Sequence, residues 1–238
     1  MRVQSLTLVA AGAALLAPTT LPDTPPPPRP GPQARPDSRT PSHDDKVGAA
    51  DLLAEVRDCT PVSKGRYRSD AGAPADIPVC GTRDAVFWKA DLDIDCDGRA
   101  GDHCNPRTDP YFTAATAFAR SDGRPLDAEA LPYIVVPAPS GLWDYREHGV
   151  RGGSVAAVVH KGRVQYAVVG DVGPRGIIGE ASYATAVALG IRPDPRGGGV
   201  PSGVTYIVFK DSRVEPIEDR DAAERAGERL ARRLVSGG

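Results

Sequence analysis

Four aspartates alternate with other residues in Asp91-Leu92-Asp93-Ile94-Asp95-Cys96-Asp97-Gly98. In an extended chain a period of two puts all four carboxylates on one face and sends Leu92, Ile94 and Cys96 toward a core. Like charges so close repel one another and need a balancing partner: a metal ion, an internal base or a cationic substrate. A second stretch of possible chemistry is Gly170-Asp171-Val172-Gly173-Pro174-Arg175-Gly176-Ile177-Ile178-Gly179-Glu180-Ala181-Ser182. A strand would deliver Asp171 into a glycine-rich turn that returns the chain to Glu180 at the start of a helix. Two carboxyl groups at the ends of one tight loop suit a reaction in which one donates a proton and the other, ionised, activates water. The plainer alternative is that Glu180 favours a helix N-terminus and Asp171 caps a turn.

A metal reading of the aspartate ladder also exists. Asp93-x-Asp95-x-Asp97-Gly98 matches the opening of an EF-hand loop. The match fails at Cys104, where the bidentate glutamate belongs, and no pair of helices flanks the segment. His103 and His148 lie in glycine- and aspartate-rich loops with nothing to pair them as ligands. Ser154 and Ser182 lack a nucleophile setting. Trp88, Trp143 and Tyr145 could stack on sugar rings, although core packing is their commoner use.

Elements must position these groups. A helix is expected over 49–57 and an extended acidic segment over 85–96. Residues 133–136 read as a short buried strand, 154–159 and 163–169 as a β-hairpin, and 204–209 as a further strand. A helix over 182–189 stops at Gly190. A last helix begins at Asp221, with Glu224 three residues on in a capping-box-like pair, and carries an apolar stripe of Ala222, Ala226, Leu230 and Leu234. Its arginines form a solvated face. The sum is an α+β, β-rich domain: a compact, barrel-like sheet with a few short helices and long Gly/Pro loops.

The chain has 238 residues and a formal net charge of −2, so no nucleic-acid or other polyanionic partner is implied. A charged start and a short apolar run over 6–16 read as a secretory signal, assigned to 1–17 and too short to span a bilayer. Residues 18–45 are rich in Pro, Ser, Thr and Asp and are expected to be a disordered linker. The folded domain is then 46–238, secreted and extracellular, with no membrane attachment after cleavage. An even count of four cysteines in such a chain reads as two disulfides. Cys59–Cys80 and Cys96–Cys104 are the preferred pairs, because both close modest local loops; a zinc site is disfavoured without a C-x-x-C pair.

The acidic string, Val168-Val169-Gly170-Asp171, Gly179-Glu180-Ala181-Ser182 and Val204-Thr205-Tyr206-Ile207-Val208-Phe209 occur in the order in which they are found in a known family. Together they resemble the family 75 glycoside hydrolases, the chitosanases first known from fungi. The resemblance implies an endo-acting, inverting hydrolase of β-1,4 bonds between glucosamine units, acting as a monomer without cofactor or obligatory metal. It puts the essential pair on Asp171, as general base, and Glu180, as general acid, with exchange of the two roles left open. Under that reading Asp91, Asp93, Asp95 and Asp97 would meet the protonated amines of chitosan. The alternatives are a non-catalytic module binding a cationic polysaccharide or cell-wall glycan, and a lytic enzyme for another amino-sugar polymer.

Overall fold

A computed structural model of the chain describes residues 46–237. The expected signal peptide and proline-rich linker lie outside the described residues. Two helices and seven strands follow in the order α1 (Ala49–Glu55), β1 (Cys80–Gly81), β2 (Ala85–Asp95), β3 (Tyr133–Pro137), β4 (Val155–His160), β5 (Arg163–Gly173), β6 (Glu180–Ser182), α2 (Tyr183–Leu189) and β7 (Val200–Phe209), before a third helix, α3 (Arg220–Ser236), closes the domain.

Six strands close on themselves. β2 pairs with β6, β6 with β3, β3 with β5, β5 with β4, β4 with β7, and β7 returns to β2. The β2–β6 and β3–β5 pairs are parallel and the rest antiparallel, while β1 adds to the β6 side of β2. Closure leaves each strand an inner and an outer face. Val86, Trp88, Leu92, Ile134, Val158, Val169 and Tyr206 belong to one buried cluster, which fills the interior. There Trp88 stacks on Tyr206 at a centroid distance of 5.3 Å. The alternate residues Phe87, Tyr133, Ala157, Tyr166, Val168 and Ile207 form a second cluster, shared with Leu52 of α1 and Ala226 and Leu234 of α3. A 17-residue helix cannot lie inside six strands, so the face it covers is the outside.

Local chemistry explains most boundaries. The β4–β5 hairpin turns on Lys161 and Gly162, both at positive φ (45° and 78°), the backbone that matches the twist of the flanking strands. Ser182 caps α2 by accepting from the Thr185 N–H, and Gly190 ends it in the left-handed region at φ 70°. α3 begins at Arg220, one residue earlier than Asp221 suggests. Its cap is Asp219, whose side chain accepts from the Ala222 N–H. Of the expected stripe, Ala226 and Leu234 are buried and Ala222 and Leu230 half-buried; the buried face is centred instead on Ala223, Ala226, Gly227, Ala231 and Leu234. Both disulfides pair as the loop lengths suggest, Cys59–Cys80 and Cys96–Cys104. No helix among the described residues is long and apolar enough to cross a membrane.

Two boundaries differ from expectation. β5 does not stop at Val169 but runs through Asp171 to Gly173, held by pairing with β3. Glu180 does not open a helix; it opens β6, a three-residue strand that pairs with the acidic end of β2 before α2 begins. Neither pairing partner is near in sequence, so the segment's own propensities could not reveal them.

Candidate active site

The β2–β6 pairing sets Asp93 opposite Glu180 and Asp95 opposite Ser182, so Asp93, Asp95 and Glu180 share the outer face. Asp171 reaches that face through an irregularity. Tyr133 pairs with Val168 and Ile134 with Val169, yet Val135 pairs with Asp171, leaving Gly170 as the extra residue of a bulge. Without it, strict alternation would turn Asp171 inward beside Val169. A Cβ at Gly170 would stand 2.6 Å from Tyr133 side-chain atoms, so glycine suits the crowded bulge.

Asp95, Asp97, Asp109, Asp171 and Glu180 all line one cleft of about 340 Å³. The strand ends at Asp95, so Asp97 is not placed by strand alternation. It lies in the turn that follows, where the Thr113 N–H donates to its Oδ1 at 2.6 Å and the Tyr133 hydroxyl donates to its carbonyl at 3.0 Å. The Asp97 N–H in turn donates to Asp95 Oδ1 at 2.7 Å. Asp91 does not line this cleft. It is 4% exposed, with Oδ1 buried and without a hydrogen-bond partner, and that oxygen faces Gly179. Gly179 has φ 126°, and a Cβ there would fall 1.9 Å from Asp91 Oδ1, so the position admits only glycine. Asp93 is exposed.

The two carboxyl groups of the expected pair sit in different environments. Asp171 Oδ1 accepts the N–H groups of Ala117 and Val172, each at 2.7 Å. Burial raises its pKa, and these two donors oppose the rise by favouring the ionised form. Glu180 is pushed up to about 7, first by burial and then by repulsion from Asp93, Asp171 and Asp97. Its Oε2 packs against Gly173, where a Cβ would stand 2.7 Å away. Burial and like charge thus favour the protonated form of Glu180, while two N–H donors favour the ionised form of Asp171. Asp95 is held well above the usual carboxylate range by burial. Asp97 is raised by burial, against the Thr113 N–H.

The support behind Glu180 is polar and buried. Ser182 Oγ donates to the Leu131 carbonyl at 2.9 Å and accepts the Tyr133 N–H at 3.0 Å, while Thr185 Oγ1 donates to the Tyr133 carbonyl at 3.0 Å. The serine acts here as a cap and strap rather than a nucleophile. Trp88, Trp143 and Tyr145 are all buried and offer no face to a ligand in solution. His103 stacks on Tyr183 at 5.1 Å.

As for metals, Asp95, Asp97 and Asp171 offer oxygens within 4.8 Å of one another. This trio mixes two ladder residues with a strand residue 74 positions beyond Asp97. It is a different set from the EF-hand-like Asp93, Asp95 and Asp97. Sequence reasoning missed Asp109 and Tyr111, which line the cleft from a loop with no periodic signal. Their only local mark is the turn Asp109-Pro110-Tyr111, in which Asp109 Oδ1 accepts the Tyr111 N–H at 2.8 Å.

A family described as the fungal chitosanases of glycosyl hydrolase group 75 matches residues 92–235. The chain belongs to that family. The match covers β2 from Leu92 onward, the cleft residues and most of α3. An endo-chitosanase of Aspergillus oryzae (strain ATCC 42149 / RIB 40) is 31% identical over 146 residues, which is 56% of this chain and 58% of the relative. An endo-chitosanase of Aspergillus fumigatus is 30% identical over 170 residues, 65% of this chain and 71% of the relative. The chain thus spans 58% and 71% of the length of these two relatives.

Proposed function

We propose that this group 75 protein is a secreted, monomeric endo-chitosanase that hydrolyses β-1,4 bonds between glucosamine units with inversion. The observation that carries the reading is the meeting, in one acidic cleft, of the half-buried Glu180 carboxyl, crowded by neighbouring carboxylates, and the Asp171 carboxylate held by two backbone N–H groups. Family membership and the similarity to endo-chitosanases support the substrate class.

In the proposed reaction Asp171 takes a proton from water as the water oxygen bonds to the anomeric carbon. The glycosidic bond breaks, and Glu180 gives its proton to the departing oxygen. Asp171 ends protonated and Glu180 ionised, and exchange with solvent restores both. Asp93, Asp95 and Asp97 pair with substrate amines, whereas the buried Asp91 takes no part in that pairing. An arriving ammonium favours ionisation of these raised carboxyls, so amine binding and proton release are coupled. Neutral sugars lack that compensation.

The test is incubation of the full chain with fully deacetylated chitosan, reading reducing ends and the anomer first formed. Release of oligomers with the α-anomer first is expected. Binding without new reducing ends would make the protein a cationic-polysaccharide module, and an initial β-anomer would mean retention. Parallel reactions with chitin and cell wall separate chitosan from other amino-sugar polymers.

A further inference from the structure

We propose that Tyr111 is a platform for one glucosamine ring at the mouth of the carboxylate cleft, with Asp109 beside it to receive that unit's amine; this rests on the chitosan reading above. Tyr111 lines the cleft yet is 87% exposed, and it is the only aromatic among the described residues left standing so far in solvent. A lone exposed apolar residue is ordinary. This one differs in its place and in how firmly its backbone is held.

Its backbone is fixed by a buried network. The Tyr111 N–H donates to Asp109 Oδ1 at 2.8 Å, and the Asp109 N–H donates to the Asn105 carbonyl at 2.9 Å. Asn105 is 6% exposed and Asp109 7%. The Asn105 side chain donates to the Gly101 carbonyl at 2.9 Å, and the adjacent Cys104 is tied to Cys96 between Asp95 and Asp97. The loop that presents the ring is thereby stapled to the strand that presents the carboxylates. A backbone held in advance leaves only the side-chain torsions of Tyr111 to be ordered when a ligand covers the ring.

The chemistry of the occupant follows from what surrounds the ring. An aromatic face attracts a cation and packs against an apolar surface. A glucosamine unit offers both, a C–H face on the pyranose and a protonated amine, and Asp109 and Asp97 lie in the same cleft to meet that charge.

The experiment compares the full-length wild type with Tyr111→Ala and Tyr111→Trp on fully deacetylated chitosan. The alanine variant should raise KM roughly tenfold, the equivalent of about 1.4 kcal/mol of lost contact. Its kcat should stay within twofold and its melting temperature should not move. Tryptophan should return KM to near the wild-type value. A KM within twofold of wild type in the alanine variant, or a parallel fall in kcat and melting temperature, overturns the platform. Should the wild type cleave nothing, calorimetric titration of all three proteins with glucosamine hexamer decides separately. A tenfold loss of affinity in Tyr111→Ala, rescued by tryptophan, then upholds the platform without catalysis. Equal affinities, or no binding to wild type, overturn it.

Discussion

Glu180 and Asp171 are both carboxyl side chains, and their surroundings alone make them different. Glu180 lies against Gly173 among Asp93, Asp97 and Asp171, whereas Asp171 has two N–H donors. Replacing either with its amide preserves shape and removes proton transfer. Asp171→Asn and Glu180→Gln should each lower kcat at least ~10²-fold while the protein still folds. Turnover should also fall as pH rises through about 7, because the proposed acid must carry its proton. The acid limb belongs to Asp171 and should lie above the usual carboxylate range. Near-wild-type turnover in either amide variant would remove that residue from the reaction.

Asp91 gives a second residue-scale prediction, on stability. Burial and then Asp93 raise its pKa to about 7, so its charged form is disfavoured in the folded state. The folded protein binds more protons than the unfolded chain between the ordinary aspartate value and about 7. Stability is therefore greatest below that window and is lost as pH rises through it. Asp91→Asn removes the titration. The variant should lose less melting temperature than wild type between pH 5 and pH 8, and at pH 8 should melt a few degrees higher, at about 2–4 °C per kcal/mol recovered. Identical pH profiles would show that Asp91 is not strained.

At the scale of elements, short pieces of backbone aim the chemistry. β6 has only three residues, yet it docks Glu180 beside Asp93, and its last residue, Ser182, caps α2. β5 carries Asp171 outward by its bulge and ends at Gly173 under the Glu180 carboxylate. A methyl group at Gly173 must displace that carboxylate or Val135, which a Cβ would approach to 3.1 Å. Gly173→Ala should lower kcat more than tenfold and alter melting far less than a core substitution does, since Gly173 is only half-buried. Wild-type kcat would show that Glu180 need not sit there. The Cys96–Cys104 bridge spans eight positions and joins the acidic turn to the loop bearing Asp109 and Tyr111. The Cys96→Ser, Cys104→Ser pair should cost roughly 2–4 kcal/mol in denaturant melts. It should also raise KM, because both walls of the cleft loosen.

For the molecule as a whole, net charge says little about the partner, since −2 is spread over many balanced ion pairs. What matters is where the unbalanced charge collects. Five carboxyl groups line one cleft, and Asp93 stands at the neighbouring register position. A field of that sign steers a polycation and weakens in salt, with a screening length of about 10 Å at 0.1 M. KM for chitosan should rise several-fold between 20 mM and 300 mM salt, with kcat nearly constant, and Asp93→Asn should flatten that dependence. A chelator-sensitive melting temperature beside salt-independent kinetics would assign the cluster to a divalent cation instead.

The sequence by itself determined what depends on near neighbours. The hairpin over Lys161-Gly162, the stop of α2 at Gly190, the two short disulfide loops and the paired carboxylates at the ends of one glycine-rich loop were all legible, because turns, caps and short closures are set within a few residues. Four matching strings in order also made the family legible. Tertiary structure alone decided what depends on strands far apart in the chain. Closure of β7 onto β2, and the parallel docking of β6 on β2, turn the aspartate row outward and crowd it against Glu180. The same pairing buries Asp91, leaves Asp93 in water and ends the strand before Asp97, so four aspartates with one spacing acquire different surroundings. Gly170 reverses the face of Asp171 only because β3 fixes the register on both sides of it. Tyr111 and Asp109 come to the cleft through a loop whose path is set by a disulfide and buried side-chain bonds rather than by periodicity. Alternation says that side chains share a face; only the register across strands says which face it is, and what it meets.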